Sequence, residues 1–275
     1  MWPSEGWAGL PAGPHVMGIL NATPDSFSDG GDHLDPMAAV EAGLQMLANG
    51  AAILDVGGES TRPGATPVSP EDEQARVVPV IRALAAQGAV VSIDTRNAET
   101  MARALDAGAC IVNDVSALRH DPASRSLVAT RRCLVVLMHM RGTPQTMRGF
   151  AQYGDVVAGV CGELAATVAA AEAAGIRREC IAVDPGFGFA KTAEHNIALL
   201  RGLAVLAGLG LPVVVGISRK NTIGMLSGVD DPRRRGPGSV AAALFAWTQG
   251  ARILRVHDVG ETVQALRVWR GLAGS

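Results

Sequence analysis

A single-domain α/β fold, a (β/α)8 TIM barrel, is what this chain of 275 residues predicts. Three observations carry the prediction. Eight short apolar runs alternate with longer Ala/Leu-rich amphipathic segments. The runs are apolar almost throughout, as parallel strands buried on both faces are. No Ser/Pro-rich linker divides them, so one closed barrel accounts for all eight units. Composition agrees: 48% hydrophobic and 18% charged residues belong to a globular chain, and with 4% aromatics the core falls to Ala, Val, Leu and Ile. A doubly wound open sheet is the competing architecture. It requires a G-x-G-x-x-G turn after the first strand, where this chain has Asn21-Ala22-Thr23-Pro24.

Residues 1–14 are expected to be an N-terminal extension and 15–275 the barrel. The first unit pairs a strand over 15–21 (HVMGILN) with a helix near 36–48. The second pairs 51–58 (AAILDVGG) with a helix over 70–87, where Ser69 suits the N-cap, Pro70 the first helical position and three acids the first turn. Strands over 89–95, 110–115, 134–140 and 181–187 follow, with helices near 97–107, 122–131, 155–174 and 192–207. The seventh strand, 212–218, leads to a short helix over 221–227 that Asn221 should cap, then to a helix near 239–249. The eighth, 251–258, leads to 260–272. Glycines 50, 88, 108, 175, 210 and 250 fall where helices should end.

Several function classes are disfavoured. A formal net charge of −2 gives no support for nucleic-acid binding. No apolar run is read as reaching the ~18 residues of a membrane span, and residues 1–14 have neither the basic stretch nor the apolar core of a signal peptide. Cys110, Cys133, Cys161 and Cys180 form no CxxC pair and no zinc-spaced cluster. They read as buried thiols of a reducing compartment, so a cytoplasmic protein is expected.

Each apolar run ends in polar residues: Asn21; Asp55 and Glu59; Asp94; Asn113 and Asp114; His139; Asp184; Ser218 to Lys220; and Arg255, His257 and Asp258. One such residue is readily a helix cap or loop anchor. Eight strand ends so equipped line a polar pocket, because in a barrel all C-terminal strand ends meet at one mouth. The acceptors Asp94 and Asp184, with the amide of Asn113, suit a ligand presenting N–H donors, such as an aminopyrimidinone ring. The donors Arg219, Lys220, Arg255 and His257 suit a polyanion such as a diphosphate. Asn21 offers oxygen to a hard cation such as Mg2+, which binds through few protein ligands plus substrate phosphates. Two connections, 22–34 and 57–69, are long for βα loops. Rich in Gly, Pro, Ser and Thr, they suit lids that close over a reaction and exclude water.

The order and content of these segments resemble the dihydropteroate synthase family. Asn21-Ala-Thr-Pro-Asp-Ser-Phe-Ser-Asp-Gly-Gly31 is similar to its first signature and Asp55-Val-Gly-Gly-Glu-Ser-Thr-Arg-Pro-Gly-Ala65 to its second. The match continues through Ser92–Thr95, Asn113–Asp114, Leu137–Met140, Asp184–Phe189, Gly216–Lys220 and Arg255–Asp258. The resemblance implies a pterin-binding barrel that joins a dihydropterin diphosphate to 4-aminobenzoate, releasing pyrophosphate and making 7,8-dihydropteroate for folate biosynthesis. It implies Asn21 as the Mg2+ ligand. Asp94, Asn113, Asp184 and Lys220 become the pterin set, with Gly216 beside them and Met138 packing on the ring. Arg255 and His257 become diphosphate anchors; Thr61, Arg62, Pro63 and Phe189, with Asn221, become the 4-aminobenzoate wall. Asp29 becomes a carboxylate that stabilises developing positive charge, so Asp29, Lys220, Arg255 and His257 are the expected catalytic groups. A homodimer through the later helices, where Trp247 and Trp269 lie, is also implied.

Two positions depart from the family pattern. Ala22 stands where Val is usual, and Asn221 where Ser is usual. The first changes packing; the second lies at the 4-aminobenzoate wall. Two other readings share part of the pattern. A methyltetrahydrofolate-binding corrinoid methyltransferase would share the Asp/Asn set but need neither long loop. A non-catalytic paralogue would keep the barrel alone.

Overall fold

Side chains along a strand point alternately to two faces, and in this chain both faces have apolar partners. One parity, Val16, Leu20, Leu54, Val56, Val91, Ile93, Val112, Val135, Leu137, Val183, Val215, Leu254 and Val256, packs with the helices. The other parity, Met17, Ile53, Ile111, Leu134, Val136, Ala182, Val214 and Ile253, forms a separate cluster. Two apolar layers on one sheet are what a barrel wrapped in helices requires. The computed structural model describes residues 5–11, 13–23, 35–59 and 68–273.

The strands are β1 (His15–Asn21), β2 (Ile53–Gly57), β3 (Val91–Asp94), β4 (Ile111–Asp114), β5 (Leu134–Met138), β6 (Ile181–Asp184), β7 (Val214–Val215) and β8 (Ile253–Val256). All ladders are parallel, and β1 pairs with both β2 and β8. The seam between β6 and β7 is closed by a single bridge, Val183 with Val213, where the Val183 N–H donates to the Pro212 carbonyl at 2.9 Å. The helices are α1 (Pro36–Ala48), α2 (Pro70–Ala86), α3 (Ala98–Asp106), α4 (Ser124–Arg131), α5 (Val156–Ala173), α6 (Ala193–Arg201), α7 (Leu203–Ala207), α8 (Asn221–Ser227), α9 (Gly236–Thr248) and α10 (Val259–Ala273). The eight expected βα units are all present.

The expected start of α2 holds in detail: the Ser69 hydroxyl accepts from the Asp72 N–H, and Pro70 opens the helix. Three expectations need correction. Strand β1 spans its expected residues, but the other seven strands are shorter than their apolar runs, most of all β7, because the ladders pair only the middle or first part of each run and the remainder belongs to the connections. The helix expected over 192–207 is two helices meeting at Gly202. A Cβ there would lie 2.7 Å from a methyl of Val157 on α5, so the close crossing breaks the helix at the one residue that permits it. Asn221 does not cap α8; Lys220 occupies the N-cap in extended geometry, with no side-chain cap bond. The Asn221 Oδ1 instead accepts from Arg235 Nη1 at 3.3 Å.

Helix α5 is long and apolar enough, by length and composition, to cross a membrane. In the fold its buried residues, Val156, Val160, Leu164, Val168 and Ala171, form one stripe in the core, and its Glu163 serves the barrel's end. At the opposite end the chain closes the barrel with its own beginning. Trp7 and Leu10 pack with Met17, Ile53 and Ile111, and the Trp7 indole N–H donates to the Cys180 carbonyl at 2.9 Å.

Candidate active site

Strand parity decides which polar residues face the mouth. Continuing the interior set of Met17, Ile53, Val90, Ile111, Val136, Ala182, Val214 and Ile253 by steps of two gives Asn21, Asp55, Asp94, Asn113, Met138, Asp184, Gly216, Arg255 and His257. The register places Asn21, Gly57, Asp94 and Asn113 side by side in one row around the barrel. Met138 and Asp184 are partners in the β5–β6 ladder. Asp114 has the other parity, and it anchors its own loop: its carboxylate accepts from the Ser116 N–H at 2.6 Å and the Leu118 N–H at 2.9 Å.

The centre of the site is an ion-paired cluster. Arg255 donates through Nε to Asp55 at 2.5 Å and through Nη2 to Asp94 at 2.7 Å. Asn113 Nδ2 donates to the same Asp55 oxygen at 3.0 Å. Asp55 is wholly buried, and its other oxygen is one of the described buried polar atoms without a partner. Burial pushes Asp94 up to about 7 against the pull of Arg255. For Arg255 the balance runs the other way: burial opposes its charge, but Asp55 and Asp94 outweigh it and raise its pKa. The pair of carboxylates therefore holds the guanidinium charged and in one orientation.

A second cluster lies across the β6–β7 seam. Asp184 Oδ1 accepts from the Gly186 N–H at 2.6 Å, and burial raises the Asp184 pKa despite Lys220. Lys220 is pushed down to about 8 by burial, with Asp184 pulling it back up. Its Nζ donates to the Phe187 carbonyl at 2.6 Å and lies 5.0 Å from the Phe189 ring centre, within cation–π range. Gly216 sits between the clusters: a Cβ there would be 3.7 Å from Arg255 Cδ and 3.8 Å from Asp184 Oδ2. Met138 and Met140 pack with Val115, Met147 and Ala190, with Phe189 against them, to give the mouth an apolar wall. His257 Nδ1 is 3.0 Å from the Ser218 hydroxyl, which also accepts from the His257 backbone N–H at 3.2 Å. That second bond favours the hydroxyl as donor to Nδ1.

The structure thus brings Asn21, Asp94, Asn113, Met138, Asp184, Phe189, Gly216, Lys220, Arg255 and His257 to the mouth. Asn221 is on the rim, exposed and held by Arg235. Asp29, Thr61, Arg62 and Pro63 lie outside the described residues, as do most of the two long connections. The ends of the second are tied together: Glu59 accepts from the Val68 N–H at 3.2 Å and is paired with Arg96 at 3.1 Å. One expected donor is corrected. The Arg219 guanidinium is gripped by both oxygens of Asp258, so it holds the loop after β7 to β8 instead of facing a ligand.

Residues that the sequence reading left without a role also belong here. Asp55 carries the parity signal, two positions before Gly57 in a strand whose Ile53 faces inward. Lys191 carried no such signal; it follows the β6 loop, and its Nζ reaches His139 Nδ1 at 2.9 Å.

Comparison with known proteins matches this geometry. A family model described as pterin binding enzyme spans residues 17–257. The dihydropteroate synthase of Escherichia coli (strain K12) is 48% identical over 256 residues, 93% of this chain and 90% of that protein. That of Mycobacterium leprae is 49% identical over 259 residues, 92% of this chain and 91% of that protein. A Xanthomonas albilineans dihydropteroate synthase solved with 4-aminobenzoic acid superposes with a TM-score of 0.90 at 50% identity, covering 95% and 94% of the two chains. The same organism's enzyme in complex with 7,8-dihydropteroate superposes at 0.88, with 47% identity and 98% of both chains covered.

Proposed function

The chain belongs to the dihydropteroate synthase family, and from that premise we propose how its own residues divide the reaction. The activity is a transferase step of folate biosynthesis: a dihydropterin diphosphate is joined to 4-aminobenzoate to give 7,8-dihydropteroate and pyrophosphate. The observation that carries the residue assignment is the convergence of Asp94, Asn113, Asp184 and Lys220 with Met138 at one mouth. Asp94 and Asp184 accept from the pterin's ring N–H and amino groups, Asn113 and Lys220 complete its polar edge, and Gly216 leaves room for it. Met138 packs on the ring face.

Arg255 and His257 anchor the diphosphate. Asp55 and Asp94 hold the guanidinium in place beforehand, so its charge meets the departing pyrophosphate without reorganisation. The aryl amine is a weak nucleophile, so stabilising the leaving group carries much of the rate. The pterin ring can delocalise positive charge on its methylene, which makes a largely dissociative substitution accessible; Asp29 would stabilise that charge. Thr61, Arg62 and Pro63, with Phe189 and Asn221, bound the 4-aminobenzoate. No serine or cysteine nucleophile is required.

Mg2+ fits the site's donor set. Asn21 ends β1 in the same row as Asp94 and Asn113, and no group of three or more His, Cys, Asp or Glu suited to a metal occurs among the described residues. One amide oxygen suits an ion bound mainly through substrate phosphates. When bound, the ion supplies charge neutralisation to the leaving pyrophosphate.

We further propose a cytoplasmic homodimer. All four cysteines are free. Exposed Phe245 on α9 and Val268, Trp269 and Leu272 on α10 provide apolar surface for the contact, while Trp247 packs partly into the core. Pyrophosphate release measured with both substrates tests the activity. Release that depends on the dihydropterin diphosphate and 4-aminobenzoate together supports the reading, and no release under any condition overturns it.

A further inference from the structure

Three backbone carbonyls converge on one amine beside the ring-binding wall. Lys191 Nζ lies 2.9 Å from the Phe189 carbonyl oxygen, 3.1 Å from that of Gly186 and 3.4 Å from that of His139. It also lies 2.9 Å from His139 Nδ1. These partners come from two different strand ends. His139 directly follows Met138 of β5, whereas Gly186 and Phe189 belong to the loop after β6. That loop is wound tightly, with φ of +68° at Gly186, +81° at Gly188 and +50° at Ala190. Such a winding, with a non-glycine residue among its left-handed positions, persists only where the surroundings over-determine it. Here two lysines grip the loop: Lys220 takes the Phe187 carbonyl, and Lys191 takes those of Gly186 and Phe189.

The proton positions follow from the partners. An ammonium only donates and a carbonyl only accepts. The Glu163 carboxylate likewise only accepts, at 3.0 Å from His139 Nε2, so the neutral ring keeps its proton on Nε2 and offers a bare Nδ1 to the Lys191 amine. Burial pushes His139 down to about 4, which keeps the ring neutral, and pushes Lys191 down to about 7. Glu163 is fixed in turn by Arg141, whose guanidinium lies 3.9 Å from the Tyr153 ring centre. A ligand-orienting chain of this type runs from α5 through β5 to the β6 loop.

Resting on the synthase reading, we propose that Lys191 is a positioning residue for the pterin pocket. Its amine, oriented by His139 and Glu163, holds the Met138 strand end and the Asp184–Phe189 loop at the spacing that admits the ring. The partners of the Lys191 amine are protein groups of His139, Gly186 and Phe189, so its contribution falls on binding and not on the chemical step.

The test is steady-state kinetics and calorimetric binding of the dihydropterin diphosphate to wild type, Lys191→Met and Glu163→Gln. Lys191→Met should raise the KM and Kd for the dihydropterin diphosphate about tenfold while kcat stays within about twofold, the signature of lost uniform binding. A folded Lys191→Met with KM and Kd within about twofold of wild type overturns the proposal, as does a loss confined to kcat. If that variant does not fold, Glu163→Gln at the solvent-facing end decides: about a threefold rise in the same Kd supports the proposal, and none overturns it. Wild-type pyrophosphate release is measured first. Its absence defeats the synthase reading, while calorimetry, which needs no turnover, still decides the role of Lys191.

Discussion

Asp55, wholly buried beneath the barrel mouth, accepts the Nε–H of Arg255 at 2.5 Å although the two residues are 200 positions apart in the chain. The pair joins β2 to β8 on either side of β1 and aims the strongest cation of the site. Asp55→Asn keeps the shape but sets an amide beside two donors, Arg255 and Asn113. It should cost about 3 kcal/mol of unfolding free energy, the lower end for breaking a buried pair, because Asp94 still holds Arg255. Urea unfolding checks the figure; a loss under about 1 kcal/mol would show that Arg255 readily finds another partner.

Asp184 is expected to recognise the pterin and not merely to shape its loop. Its Oδ1 already accepts the Gly186 N–H, and Asn could do the same. Asp184→Asn should therefore leave the loop intact but set a donor against a ligand N–H. Pterin binding should weaken by roughly 2–4 kcal/mol, a broken charge-assisted bond plus a mismatched group. Unchanged affinity in calorimetry sinks the assignment.

The alkaline limb of the pH profile should belong to Lys220. Burial lowers its pKa to about 8, so the cation is present below that pH and lost above it. Rising pH through about 8 should therefore lower kcat/KM. Lys191, lowered by burial to about 7, adds to the same limb, so the wild-type profile alone does not separate them. In Lys220→Arg the residue at 220 stays charged, and the part of the fall centred near 8 should vanish. A wild-type limb near the ordinary lysine value would refute the argument.

Asn221 should be tolerant of the family's usual serine. Lys220 takes the N-cap of α8, so no cap is at stake, and Arg235 loses only one of its several acceptors. Asn221→Ser should change the KM for 4-aminobenzoate less than tenfold, below about 1.4 kcal/mol. A larger change would make this residue a specificity determinant and call the identity of the amine substrate into question.

Gly186 should be the least replaceable residue of the β6 loop. Its φ is +68°, and an added Cβ would run into the His139 carbonyl oxygen. Backbone cannot yield as a flexible side chain can. Gly186→Ala should lower stability by about 2 kcal/mol or more, from left-handed strain plus the clash, and should displace Asp184. Thermal unfolding with pterin titration would expose both effects.

Much of this molecule is legible from local pattern. The eight βα units, the Ser69 cap and the glycine helix ends are encoded within a turn or a strand's length. Each of the six glycines expected at helix ends has a positive φ. The site was also partly legible: strand-end polarity located the mouth, and step-two parity separates inward Asp55, Asp94 and Asn113 from loop-anchoring Asp114. Partner choice was not legible. Arg219 and Arg255 look alike in sequence, yet Asp258 occupies the first, while the second is held by Asp55 and Asp94 in the pocket. Lys191 gave no local sign of its role, because one of the groups it collects, His139, lies 52 residues away in the chain. Periodicity and capping are properties of neighbours along the chain. Which charges meet depends on how the barrel closes, and the energetic penalty for leaving a charge unpaired arises only after closure has removed the water.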